Sequence, residues 1–253
     1  MNELLELCLI AFAAGTVDAV MGGGGMLQVP ALFALFPGVA PAALFGTNKI
    51  ASLAGTIGAA LQYARSLPPR WSTVGPVLAA AFVFALAGAW AVTHVPAAPL
   101  RKALPFVLAA LWLYMAFSRL GLAHAPHYPP RREAAVGAAG AAAVGFYDGF
   151  FGPAAGAFFK LLFVRLLGFD FLNAAAPAKL ANVASNIAAI GVFVLGGNLL
   201  WKVALPMAVA NFLGGQLGSR IGLRYGNRLM RLAFLALVAV LIFKTFRDEY
   251  LAR

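Results

Sequence analysis

Apolar stretches divided by short polar breaks run almost the whole length of this chain. They fall near residues 3–21, 25–36, 48–64, 71–93 and 99–118, then 133–151, 154–167, 179–196, 201–219 and 229–246. Several reach the roughly 20 residues that carry a helix across the hydrocarbon core of a bilayer. A helix that is apolar all round belongs either in the centre of a large core or in a membrane. Composition decides between the two. Of 253 residues, 62% are hydrophobic and only 11% charged, where a soluble domain carries about 25% charged residues. So few charges cannot coat a globule of this length, which excludes a soluble enzyme, a nucleic-acid binder and a disordered hub. The expected class is an all-α integral membrane protein, multi-pass, in the cell inner membrane or plasma membrane.

The formal charge of +11 does not revive nucleic acid as a partner. Most basic residues sit in the breaks, among them Arg65, Arg70, Arg101, Lys102, Arg119, Arg131, Arg132 and a cluster from Arg220 to Arg231. That is where Lys and Arg set orientation and meet anionic lipid. Met1 to Glu6 hold Glu3 and Glu6 but no basic residue, so the first stretch reads as a retained helix and not a signal peptide. The single cysteine, Cys8, lies in an apolar run and offers neither a disulfide nor a cysteine metal site.

Shifted by 130 residues, the chain matches itself. Gly15, Asp18, Gly22, Lys49, Trp71, Pro76, Gly88 and Arg101 meet Gly145, Asp148, Gly152, Lys179, Trp201, Pro206, Gly218 and Arg231 without a gap, within 23 identities. The expected organisation is a first membrane repeat over 1–122, a linker over 123–132 and a second repeat over 133–253. Five crossings per unit, an odd number, would invert one copy relative to the other, a recurrent plan of secondary transporters with broken or re-entrant helices near the midplane. Under that topology ten Lys and Arg gather on one side and six on the other, which favours both termini outside.

Two constellations could carry chemistry. The first is Gly22-Gly23-Gly24-Gly25, with Gly152-Pro153-Ala154-Ala155-Gly156 as its counterpart. Such a run frees the backbone to unwind, and a restarting helix presents unpaired N–H groups at a positive dipole end. Close helix packing is the plainer use of small residues; the matched break in the second unit favours backbone lining a cavity, with Gln28 near enough to reach it. The second is Thr47-Asn48-Lys49 with Ser52 and Thr56, matched by Pro177-Ala178-Lys179 with Asn182 and Asn186. Thr47 reads as an N-cap and Pro177 as a first-turn proline. Lys49, Ser52 and Thr56, like Lys179, Asn182 and Asn186, share one helix face. An intramembrane lysine is costly and is read as functional, with a partner to be named. Two roles stay open: the lysines bind a small oxyanion, or they neutralise Asp18 and Asp148 as buried ion pairs. Those two acids are also the places where proton coupling would fall.

Other residues rank lower. Lys160, which has Pro30 as its counterpart, reads as a snorkelling side chain. His94, His124 and His127 form no metal spacing, and Tyr63, Tyr147 and Trp71 read as packing or interfacial residues.

Gly15-Thr16-Val17-Asp18-Ala19-Val20-Met21-Gly22-Gly23-Gly24-Gly25, Gly46-Thr47-Asn48-Lys49 and their partial repeat resemble the sulfite exporter TauE/SafE family of membrane permeases. The resemblance spans almost the whole chain. It implies transport of a small sulfur-containing or organic anion such as sulfite, sulfoacetate or thiosulfate. The second copy departs from the pattern at Pro153-Ala154-Ala155 and Pro177-Ala178.

The expected function is thus a secondary transporter binding a small anion where the repeats meet, through Gly23, Gly24, Gly25, Gln28, Thr47, Asn48, Lys49, Ser52, Lys179, Asn182 and Asn186. No metal or cofactor is called for, and the reading leaves room for a homodimer. A passive anion channel is the main alternative. An intramembrane enzyme ranks below it, because neither Asp closes a Gly-x-Gly-Asp motif and every Glu lies near an end or the linker. Nothing in the chain has the GxxxxGK[ST] form of a nucleotide-binding loop.

Overall fold

The computed structural model describes residues 2–117 and 127–225, together with positions 239, 243 and 247. Most of the expected apolar stretch at 229–246, the start of the linker, and Arg119, His124, Arg228, Arg231, Lys244 and Arg253 lie outside the described residues. Among the described residues the chain is helical throughout. The helices are α1 (Asn2–Met21), α2 (Gly25–Leu35), α3 (Pro41–Ser66), α4 (Trp71–Thr93) and α5 (Ala97–Phe117). They continue with α6 (Pro130–Phe150), α7 (Ala155–Leu161) running into a π-helical turn at Leu162–Leu166, α8 (Ala175–Leu195) and α9 (Trp201–Tyr225).

Among the described residues, three segments are long and apolar enough to cross a bilayer: Glu3–Met21, Trp71–Thr93 and Ala175–Leu195. Their outward residues are greasy where a soluble protein would be polar. Leu5, Leu9, Trp90 and Leu195 are all more than three-fifths exposed, an exterior suited to lipid contact and not to water.

The sequence places the start of the third helix too late. Thr47 is not an N-cap: α3 begins six residues earlier, with Pro41 in its first position. Pro37 and Gly38 stop the preceding segment, and Pro41, lacking an N–H, suits a position where that N–H would be unpaired. Thr47 lies inside the helix, donating to the Ala43 carbonyl at 2.7 Å and accepting from the Leu200 N–H at 3.0 Å. Pro177 does fall in the first turn of α8.

Packing follows a crosswise order. Helix α4 lies against α6 and α8, α9 lies against α1 and α3, and α3 meets α8 in the middle. Small residues let the outer pairs approach closely. A Cβ on Gly88 of α4 would stand 2.0 Å from the Phe146 carbonyl oxygen, and one on Gly218 of α9 would stand 2.1 Å from that of Thr16. Both contacts are backbone against backbone, so neither can relax by a side-chain movement.

Candidate functional site

The two helix breaks meet. Helix α1 ends at Met21, and Gly22 turns the chain with φ of +86° before α2 restarts at Gly25. Helix α6 ends at Phe150, and Gly152 turns it with φ of +91° before α7. Left-handed backbone of this kind costs a side-chain-bearing residue roughly 1–2 kcal/mol, which glycine avoids. The second break pays that cost once, at Ala154 with φ of 62°. Its counterpart Gly24 is right-handed, with φ of −55°, so the breaks correspond in sequence without sharing one conformation. They touch directly: the Ala157 N–H donates to the Gly22 carbonyl at 2.7 Å. A Cβ on Gly22 would come within 2.3 Å of that same nitrogen, so this glycine serves both the turn and the contact.

Beside the crossing lies a polar cavity of about 20 Å³, enough for roughly one water. Of the residues expected from sequence, Asp18, Gly25, Asn48, Lys49, Ser52, Asp148, Asn182 and Asn186 line it. Gly22, Gly152, Ala154, Ala155 and Gly156 complete the wall; the paired glycine motif was the sequence signal for that group. Gly23, Gly24, Gln28, Thr47 and Lys179 are not in the wall.

The charges pair crosswise between the matched segments. Lys49 of α3 bonds Asp148 of α6, and Lys179 of α8 bonds Asp18 of α1, the latter at 2.5 Å to Oδ2. Asp18 also accepts from the Gly24 N–H at 3.2 Å and lies 3.4 Å from the Thr56 hydroxyl. Asp148 takes a second bond from the Ser185 hydroxyl. Ser185 escaped the sequence reading because its counterpart is Gly55, although it stands three residues beyond Asn182 on a polar face. Both acids are thereby held as ion pairs with extra donors, the arrangement a buried carboxylate requires.

Two amides are less well served. Gln28 is fully buried, and neither its side-chain oxygen nor its nitrogen has a partner; the Asn48 side-chain oxygen is likewise unpartnered. Asn182 and Asn186 bond each other at 3.3 Å. Tyr147 donates to the Pro153 carbonyl at 2.7 Å, a packing role that fixes the second break.

Lys160 corrects its sequence reading. It does not snorkel: only 2% of the residue is exposed, and its ammonium donates inward to the Val20 carbonyl at 2.5 Å. A stem attached one turn into α7 points at the end of α1, where unpaired helix carbonyls attract a cation.

Comparisons with known proteins agree with the resemblance read from the motifs. The chain is 38% identical over 245 residues to the probable membrane transporter protein YfcA of Escherichia coli K12, covering 96% of this chain and 90% of that protein. It is 38% identical over 228 residues to the probable membrane transporter protein ORF9 of a Sinorhizobium species, covering 90% of this chain and 86% of the relative. A probable membrane transporter protein of Haemophilus influenzae is 35% identical over 229 residues, 90% of this chain and 88% of its own. No solved structure matches the chain. The family described as sulfite exporter TauE/SafE matches residues 7–245, and with that span, nearly its full length, this chain belongs to the sulfite exporter TauE/SafE family.

Proposed function

We propose that this chain is a secondary permease for a small sulfur-containing or organic anion, such as sulfite or sulfoacetate, and that it works by alternating access where two repeats meet. The carrying observation is the polar cavity beside the crossing of both helix breaks, bounded by Asn48, Lys49, Ser52, Asn182 and Asn186. Lys49 and the Asn48, Asn182 and Asn186 amides offer donors to an oxyanion, beside the Asp18 and Asp148 carboxylates of the same wall, which Lys179 and Lys49 neutralise. The unpartnered Gln28 amide stands three residues beyond Gly25 of the wall, outside the cavity as it is closed here, and leaves N–H donors that a substrate can take up once the helices move. The family and its relatives' names agree with a membrane permease.

The crosswise packing supports the two-unit reading, with units over 1–122 and 133–253. Under the 130-residue shift, α4 on α6 and α8 becomes α9 on α1 and α3. The ion pairs exchange in the same way. At about 20 Å³ the cavity has room for roughly one water, so the helices around it have to move to admit a four-atom oxyanion. That favours a carrier over an open channel.

The test is uptake and counterflow of labelled sulfite, sulfoacetate and thiosulfate in proteoliposomes, with and without a pH gradient. Counterflow is expected for at least one anion; no movement of any of them would sink the proposal. The Gln28→Leu variant is expected to melt no lower than the parent, because it removes two unmet buried polar atoms. Its transport should fall roughly tenfold, the worth of one lost hydrogen bond to a charged ligand.

A further inference from the structure

Helices α3 and α8 lie antiparallel, because the start of each meets the turn that follows the other. At one end of the pair that turn is shut. The Leu200 N–H donates to the Thr47 hydroxyl at 3.0 Å, and a Cβ on Gly46 would stand 2.3 Å from the Asn198 carbonyl oxygen. At the other end the turn after α3 stands away from the start of α8. It leaves a cavity of about 210 Å³, against about 20 Å³ for the central one.

The two corners correspond in sequence. Under the 130-residue shift Gly46, Thr47, Asn198 and Leu200 meet Ala176, Pro177, Pro68 and Arg70. Those differences account for the gap. Ala176 carries the Cβ that Gly46 lacks, which holds a carbonyl off, and Pro177 has no hydroxyl to accept what Thr47 accepts.

The larger cavity leads inward. Its rim holds the exposed Pro68, Arg70 and Asn173, and its floor the buried Thr73, Phe169 and Pro177. From Pro177, five residues of α8, about 7–8 Å along the helix, reach Asn182 in the wall of the central cavity. Arg70 supplies a cation to the rim. Its guanidinium lies 3.4 Å from the Glu133 carboxylate and 5.2 Å from the centre of the Phe169 ring, with half of its side chain exposed. Glu133 also accepts from the Thr73 hydroxyl at 2.6 Å, so it does not rely on Arg70 alone. Asp170, the acid of the facing loop, accepts from the N–H groups of Leu172 and Asn173. A guanidinium has five N–H donors in a fork that suits an oxyanion, and only one edge of this one is turned to Glu133.

We propose that this cavity is the entrance to the central site in the substrate-free protein, and that a small anion is taken first by Arg70 before it moves inward along α8. This rests on the permease reading and deepens it. Access is from the end that carries residues 67–70, and the end sealed by Thr47 and Leu200 is the closed gate.

The test uses the full chain in proteoliposomes with Cys8→Ala and one new cysteine. That cysteine stands either at Val74, in the wall of the entrance, or at Ala204, its counterpart under the shift, near the sealed turn. Both positions are buried, at 1% and 0% exposure. The probe is the anionic, membrane-impermeant thiol reagent 2-sulfonatoethyl methanethiosulfonate. Without substrate, Val74→Cys should be modified roughly tenfold or more faster than Ala204→Cys. Uptake of labelled sulfite, sulfoacetate and thiosulfate reads the role of Arg70. For whichever anion the parent carries fastest, Arg70→Gln should raise the half-saturating concentration roughly tenfold and keep the maximal rate, and Arg70→Lys should recover part of the loss. The double variant Arg70→Gln, Glu133→Gln strands no carboxylate and should show the same rise, which separates capture from folding. Equal modification of the two cysteines, or faster modification at Ala204, overturns the proposal. So does a double variant that keeps the parent's half-saturating concentration. If the parent moves none of the three anions, the permease reading itself fails and the entrance falls with it, even where Val74→Cys reacts the faster.

Discussion

The ends of α1 and α6 are built from the same parts and kept in different surroundings. Each has an aspartate four residues before a left-handed glycine, and each aspartate takes a lysine from across the molecule. Asp148 is sealed, with 2% of its side chain exposed, and depends on Lys49 and Ser185. Asp18 keeps 13% of its side chain exposed and draws on Lys179, the Gly24 N–H and Thr56. Chemistry that matches under the 130-residue shift thus differs in burial: both acids border the cavity, but one is closed off while the other keeps part of its side chain exposed.

The sharpest way to break this contrast is at the glycines. Gly22→Ala places a Cβ 2.3 Å from the Ala157 nitrogen on top of an unfavourable φ, and should abolish folded protein, read as recovery of a monodisperse species from detergent extracts. Gly152→Ala has the same strain in φ but no neighbour closer than 3.4 Å. It should fold, with a loss of about 1–2 kcal/mol in denaturant titration. Equal damage from the two would show that φ, and not the contact between breaks, is decisive.

Next come the lysines. Lys49→Met strands the sealed Asp148 carboxylate, at a cost of about 3–5 kcal/mol. Lys179→Met strands a carboxylate that retains a backbone donor and partial exposure, so its melting temperature should drop by clearly less. A matching drop in both variants would erase the difference in surroundings.

The hydroxyls give the smallest effects. Ser185→Ala removes a bond to a buried charge and should cost about 1.5–3 kcal/mol. Thr56→Ala loses only a 3.4 Å contact and should stay within about 0.5 kcal/mol of the parent, measured in the same melts. A larger effect at Thr56 than at Ser185 would reverse the ranking of the two acids.

Much of this was legible in the chain. Lys49, Asn182 and the glycine break could be picked out because polar or flexible residues are rare in apolar runs, and the 130-residue register flagged them twice. Helix starts were harder. Thr47 looked like an N-cap only because it precedes a polar face; what set the start was Pro41, an apolar residue that hydropathy does not notice. Lys160 was misjudged for a related reason: whether a long side chain turns outward or inward depends on what its neighbours offer, here the carbonyl of Val20, 140 residues away. Which lysine meets which aspartate is equally a property of packing and not of spacing.

The reach of those ion pairs bears on how the protein is made. Lys49 and Asp148 are 99 residues apart, and Asp18 and Lys179 are 161 apart. A ribosome delivers Asp18 and Lys49 long before either partner exists, so the first helices leave it carrying charges that a lipid interior accepts only at a cost. They must wait in a hydrated or protein-lined shelter until the second set arrives. Assembly of this chain is therefore a late event, sealed only when α6 and α8 are in place.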